Sequence, residues 1–391
     1  MKTRRKENIT IFLYALYVVV YLITLRMYGM GDSHSRVRYY LLAFNVLVGL
    51  LMMKRNNKLS KLFKELYSKE VLYILGTGLL FLLVSIFKAS QYGVWLNVRT
   101  LVQISLFVLP ALYAFILINI LPMEKIFNLM KYTLIASIVV YLSEPQHTIL
   151  SFFDIDNWLN ITFTNAFIES SLCSSIFVHL YLFFSYYDIK LNRNNKMIKM
   201  CSAISFAFSI LCFKRLSVLF VILLSVYKFS IFYFRKVNVD QKLPKYSYIV
   251  IAIIFTVLTY FYTKFMNGQI FKEVDLYKFT TGRDYILSLW RMHNFRSYGY
   301  GTSMLIIGRY LEMDLIQIYL ELGLVTLFCF CFSFFKQTKN VLYSIIILVY
   351  EFLNLLTASS LPSSLTWIII FITITCIGSG KTKELKLKGE Q

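Results

Sequence analysis

The chain has 391 residues, 58% hydrophobic and only 16% charged, against about a quarter charged in a typical soluble domain, which excludes a soluble globule as the default reading. Glycine (15) and proline (5) are too few for a collagen-like or Pro/Gly-rich disordered chain. A net charge of +21 suits nucleic acid or an anionic surface unless the basic residues are sorted by membrane topology.

A helix that crosses hydrocarbon needs roughly 20 mostly apolar residues. Twelve stretches qualify, at about 9–29, 39–53, 71–87, 101–120, 131–142, 166–187, 200–213, 216–234, 246–266, 312–335, 341–356 and 363–378. Residues 121–130 read as an amphipathic lead-in to the fifth. The basic cluster Lys2–Lys6 and the run after it share features with a signal peptide. That run is too long for an h-region and lacks a small-x-small cleavage site, so a retained first span is expected. The six cysteines all fall in apolar runs without a CxxC pair, which disfavours a disulfide framework or a zinc site.

The loops alternate in charge. Lys and Arg gather at the N-terminus, after even-numbered spans and at the C-terminus, 26 in all, against 13 on the other side. By the positive-inside rule both termini are cytoplasmic and the chain is one multi-pass membrane domain, 1–391. The charge then reports topology, and no nucleic-acid partner is expected. Two external loops stand out by length, 143–165 and 267–311, and long loops in compact proteins are usually functional or disordered. The first carries Glu144, His147, Asp154 and Asp156. The second has apolar helical spacing at Tyr285, Ile286, Leu289 and Trp290, so part of it should fold onto the membrane surface.

Three places combine charge with membrane depth. Lys214-Arg215 separate the seventh and eighth spans with almost no loop, and either snorkel or face a cavity for an anion. Thr281-Gly282-Arg283-Asp284 opens the helical part of the long loop, with Arg291, Arg296 and Arg309 beyond. Arginine offers a planar fork for phosphate oxygens; a solvated basic loop is the plain alternative. Glu312, Asp314 and Glu321 lie at and inside the start of the tenth span. A carboxylate within a span is costly and marks function by default, although acids also suit a helix N-terminus. Glu169 lies three residues into the sixth span, and Glu351 and Asn354 share a face of the eleventh. Each of these lines a polar cavity or makes interhelical hydrogen bonds, the second reading being preferred for Glu351. Arg26 and Lys228 lie near span ends and are expected to snorkel.

Two motifs are decoys. Gly378-Ser379-Gly380-Lys381-Thr382 looks like the end of a P-loop, but Thr375 occupies the position of its first glycine. Tyr298-Gly299-Tyr300-Gly301 has the look of a potassium filter without its preceding Thr-Val.

In their order along the chain, the remaining motifs resemble the Wzy-type O-antigen and capsular polysaccharide polymerases, relatives of the O-antigen ligases. Phe167-Ile168-Glu169-Ser170-Ser171 resembles their F-x-E-P-S segment, with Ser170 in place of proline. Lys214-Arg215-Leu216-Ser217 resembles their basic turn between helices. Thr281-Gly282-Arg283, Trp290 and Gly299-Tyr300-Gly301 resemble a G-R…W…G-x-G stretch. The run from Glu312 to Gly323 resembles H-N-D-x-L-Q-x-x-x-E-x-G, with Glu312 where histidine is common.

The resemblance implies an all-α bundle related to the GT-C glycosyltransferases, about twelve spans with a long external loop between the ninth and tenth. It implies undecaprenyl-pyrophosphate-linked glycans as substrates at the outer face of the bacterial plasma membrane, with membrane lipids and a chain-length regulator as further partners. The family's transfer is inverting and metal-independent, so no cofactor is expected. Displacing a lipid pyrophosphate leaves negative charge, which fixed cations must stabilise in a low-dielectric site. Arg215 and Arg283 are the candidates, supported by Lys214 and Arg291. A partly buried carboxylate, Asp314 or Glu312, can take the acceptor proton, with His147 and His293 as alternatives. Glu169 and Glu321 are further cavity candidates. Two other readings stay open: a ligase using a different acceptor, and a flippase. Against the flippase, no half-to-half repeat is visible and the polar groups gather at one face.

Overall fold

A computed structural model describes residues 2–28, 36–54, 66–143, 173–191, 195–212, 214–234, 239–269, 283–292, 294, 296–308 and 311–379. Among the described residues the protein is all-helical, apart from one isolated bridge between Lys242 and Val341. The helices are α1 (Lys2–Tyr28), α2 (Val37–Lys54), α3 (Leu66–Gln91), α4 (Val98–Ile120), α5 (Met123–Leu142), α6 (Ser174–Lys190), α7 (Lys196–Leu211) and α8 (Arg215–Phe234). There follow α9 (Ser247–Met266), α10 (Arg283–Met292), α11 (Thr302–Ile306), α12 (Asp314–Leu322), α13 (Leu324–Lys336), α14 (Leu342–Thr357) and α15 (Ser364–Ser379).

Among the described residues, five stretches are long and apolar enough to cross a membrane: Arg4–Tyr28, Glu70–Gln91, Val98–Ile120, Met123–Leu142 and Ser247–Met266. Five apolar helices are shorter, Val37–Met53, Leu216–Ser230, Leu324–Lys336, Leu342–Thr357 and Ser364–Ser379. Local chemistry sets several starts. Asn97 caps α4 by accepting from Arg99 N at 2.8 Å, and Asn195 caps α7 through Met197 N and Ile198 N. The lead-in expected before the fifth span is continuous with it, because Pro122 sits just before the first helical turn of α5.

The centre of the bundle is α15. It is apolar on every side and buried along nearly its whole length, the pattern of a helix with no face to water or lipid. It packs along α4 and α6. Phe334 joins Trp367 and Phe371 at ring distances of 5.2 and 5.8 Å, tying α13 to this axis.

The tenth span departs from expectation. The run 312–335 is apolar enough to read as one helix, yet α12 stops at Leu322 and α13 begins at Leu324. Gly323 between them has φ +94° and ψ 170°, a conformation essentially reserved for glycine. Space around a Cβ there is open, so backbone conformation alone demands glycine. The nine residues of α12 extend about 13 Å, too short to span a bilayer by themselves.

Inter-loop contacts sort the helix ends into two sets. At one end, Arg26 donates to Ser143 O (3.0 Å), Tyr39 to Pro362 O (2.7 Å) and Thr100 to Tyr300 O (2.8 Å). At the other, Lys6 donates to Met52 O (2.7 Å), Gln337 to Glu70 O (2.6 Å) and Asn340 to Lys245 O (2.8 Å). Two residues expected to snorkel have protein partners instead: Arg26 as above, and Lys228, which pairs with buried Asp188 at 2.6 Å.

Candidate functional site

The described parts of the long loop fold against protein. Helix α10 buries Ile286, Leu287 and Trp290, while Tyr285, expected on the same face, is exposed. Leu287 packs with Met266, Met313 and Ile316; Ile286 and Trp290 pack with Leu311. Leu311 and Met313 therefore grip α10 from two sides, and Glu312 between them is left exposed at φ +56°. Arg283 stands at the first position of the same helix.

The turn 297–303 is clamped by Glu321. Its buried carboxylate accepts from Gly301 N (2.6 Å), Ser303 N (2.7 Å) and Gln317 Nε2 (3.1 Å). Ser85 accepts from Tyr300 N at 3.0 Å, and a Cβ at Gly299 would meet Ser85 at 2.6 Å, so the turn lies directly on α3. The Tyr-Gly-Tyr-Gly segment is thus an anchored turn, and Glu321 is its clamp.

Asp314 opens α12 and is buried. It accepts from Ser360 N (2.6 Å), Leu361 N (2.8 Å) and Ser359 Oγ (3.2 Å), which fixes the loop between α14 and α15. Ser360 carries the chain of contacts onward. Its hydroxyl donates to Glu351 Oε1, and the other Glu351 oxygen lies 2.9 Å from His179 Nε2 on α6. Glu351 and His179 are both buried, so the interhelical reading of Glu351 holds for this contact.

The basic turn before α8 meets this cluster. Ser217 shares a 2.7 Å hydrogen bond with Tyr350, the neighbour of Glu351, and Phe220 stacks on Tyr350 at 4.3 Å. Half-buried Lys214 is held below the ordinary lysine range, first by burial and then by the Arg283 cation, while Glu351 opposes the shift. The charges of Glu351 and Arg283 thus both act on Lys214.

Not every candidate joins them. Exposed Arg291 donates to Asn267 O (2.9 Å) and Asn267 Oδ1 (2.8 Å), tying α10 to the end of α9. Glu312 precedes the helix that it was expected to begin. His147, Glu169 and His293 lie outside the described residues, as does the side chain of Arg215. Among the described residues no group of three or more His, Cys, Asp and Glu gathers as a metal site. Sequence reasoning passed over His179 and Ser360. A histidine inside an apolar run was a usable signal, because it is costly there without a partner.

No family model, curated protein or solved structure matches this chain.

Proposed function

We propose that this protein is a glycosyltransferase of the bacterial plasma membrane that polymerises undecaprenyl-pyrophosphate-linked oligosaccharide repeat units at the outer face, both termini being cytoplasmic. The observation that carries the reading is that Arg283 heads the helix α10 that Leu311 and Met313 grip, with the exposed Glu312 carboxylate between those two residues. The motif resemblance and the helical membrane character support the rest, including a bundle of the GT-C-related kind.

In this reaction the acceptor hydroxyl attacks the anomeric carbon from the face opposite the pyrophosphate. A new C–O bond forms as the bond from that carbon to the phosphate oxygen breaks, and the lipid pyrophosphate leaves with the electron pair. Lys214 and Arg283 neutralise the charge that develops on the leaving group. Glu312 is the better base of the two acids. It is open to an incoming sugar, whereas both Asp314 oxygens already hold donors.

The test is polymerisation of a lipid-linked repeat unit by the purified chain in proteoliposomes, read as a ladder of glycan lengths. Arg283→Lys should lose most activity, because an ammonium cannot reproduce a bidentate contact. A ladder from Arg283→Ala at near the parental rate would overturn the proposal. Transfer to an acceptor without laddering would point to a ligase instead.

A further inference from the structure

The connection between α3 and α4 is fixed at both ends. Val94 N donates to Ala89 O (3.0 Å) and Gly93 N to Ser90 O (3.1 Å), with Gly93 at φ +64°, the pair of bonds that ends a helix on a left-handed glycine. Asn97 then caps α4. A short, set turn therefore presents Trp95, which is 93% exposed, with Tyr92, Val94 and Val98 exposed beside it. From Ala89 to Val98 no residue is charged, and Lys88 and Arg99 stand on either side. Helix α3 carries an exposed apolar stripe, Leu79, Leu83 and Phe87, up to this turn, and both helices are long and apolar enough to cross a membrane. An aromatic tip between two such helices lies where hydrocarbon gives way to water. Tryptophan and tyrosine favour that level, because each has an apolar body and a polar edge.

The same turn holds the segment that Glu321 clamps. The Tyr92 ring meets Tyr298 edge-on at 5.1 Å, Arg99 donates to Met304 O (3.3 Å) and Thr100 to Tyr300 O (2.8 Å), while Ser85 of α3 accepts from Tyr300 N (3.0 Å). Beyond the clamped turn, Ile306 and Ile307 pack against the cluster of Ile286, Trp290 and Leu311 that seats α10. We propose that the α3–α4 turn is a membrane-interface anchor: Tyr92, Val94 and Trp95 seat among the lipid headgroups and moor residues 297–303 at that depth. The partner is the bilayer surface. The patch continues an apolar stripe of a membrane-length helix, carries no charge that would set the register of a protein partner, and is flanked by two cations suited to the level of lipid phosphates. The anchor fixes the height of the clamped turn and, through the Trp290 cluster, that of the helix headed by Arg283. The inference goes beyond the glycosyl-transfer reading and does not depend on it.

The experiment uses the full chain in nanodiscs of phosphatidylethanolamine and phosphatidylglycerol. Subtracting the tryptophan emission of Trp95→Phe from that of the wild type isolates Trp95, and Trp95→Tyr serves if the first variant does not fold. Phosphatidylcholine brominated near the glycerol should quench this emission more strongly than phosphatidylcholine brominated near the chain end. Aqueous acrylamide should quench it less than it quenches free tryptophan. Quenching by acrylamide alone would place Trp95 in water, resistance to both quenchers would place it against a second copy of the chain, and stronger quenching from the chain end would place it in hydrocarbon; each result overturns the anchor. The mooring is read by hydrogen exchange at the Tyr300 and Gly301 amides. Trp95→Asp, which sets a charge against the lipid, should speed their exchange several-fold, while Trp95→Phe should stay near the wild-type rate. Trp95→Ser replaces the aspartate variant if that one does not insert. Wild-type exchange in Trp95→Asp, or in Trp95→Ser where it stands in, would detach the turn from the lipid and refute the mooring. None of these measurements uses a glycan, so a missing ladder leaves the anchor standing, and a failed anchor leaves polymerisation to its own test.

Discussion

Asp314 and Glu312 stand two residues apart, and replacing each by its amide separates a structural carboxylate from a catalytic one. Asp314 Oδ2 accepts the backbone N–H groups of Ser360 (2.6 Å) and Leu361 (2.8 Å), and Oδ1 takes the Ser359 hydroxyl at 3.2 Å. In Asp314→Asn the amide oxygen can keep both backbone donors. The amide nitrogen then faces a hydroxyl that can rotate and accept. The loss is the charge-assisted part of these bonds, about 1 kcal/mol. Asp314→Ala instead orphans two backbone donors, at roughly 1–3 kcal/mol each, so about 2–6 kcal/mol in total. Turnover should follow the opposite order. A general base contributes roughly 10²–10⁴ in rate, so Glu312→Gln should fold normally and lose at least about a hundredfold in ladder formation. The assays are thermal unfolding in detergent and initial rates in proteoliposomes. A hundredfold loss in Asp314→Asn with unchanged unfolding, beside an active Glu312→Gln, would refute the reasoning and make Asp314 the base.

Three further outcomes are expected. Glu321→Ala orphans the Gly301 and Ser303 amides and should cost about 2–6 kcal/mol; normal unfolding would remove Glu321 from the role of clamp. Gly323→Ala meets no steric obstacle but cannot adopt φ +94° without strain, so it should destabilise by about 1–3 kcal/mol, and an unchanged melting temperature would dissolve the argument for the broken tenth span. Lys228→Met leaves buried Asp188 without its cation and should destabilise by about 3–5 kcal/mol, with much of the loss restored by adding Asp188→Asn. Additive single effects would mean that the pair does not interact.

Hydropathy made the helices legible because the membrane demands long apolar runs whatever their partners. It could not find the break at Gly323, since a glycine in an apolar run barely alters hydropathy while its backbone angles change everything. Nor could it separate Glu312 from Asp314. Both are acids near a helix start, and the loop at 359–361, some 46 residues later, is what takes up Asp314. The partnership of His179 with Glu351 spans 172 positions and no periodicity reaches so far.

The cost of burying charge was nonetheless visible in each residue separately. Lys214, Arg283, Asp314, Glu321, His179 and Glu351 all lie in or beside apolar runs, and each needs a partner there. Arg38, fully buried with its guanidinium 5.3 Å from the Tyr21 ring and 5.0 Å from that of Tyr39, obeys the same rule. Costly charge therefore finds the polar joints of the bundle, and function has to be argued from what those joints leave open. A general base needs a free lone pair that an incoming hydroxyl can reach. Asp314 is closed by three donors, Glu321 by three and Glu351 by two. Glu312, held out between two buried neighbours that grip the helix headed by Arg283, is the one of these four that faces outward.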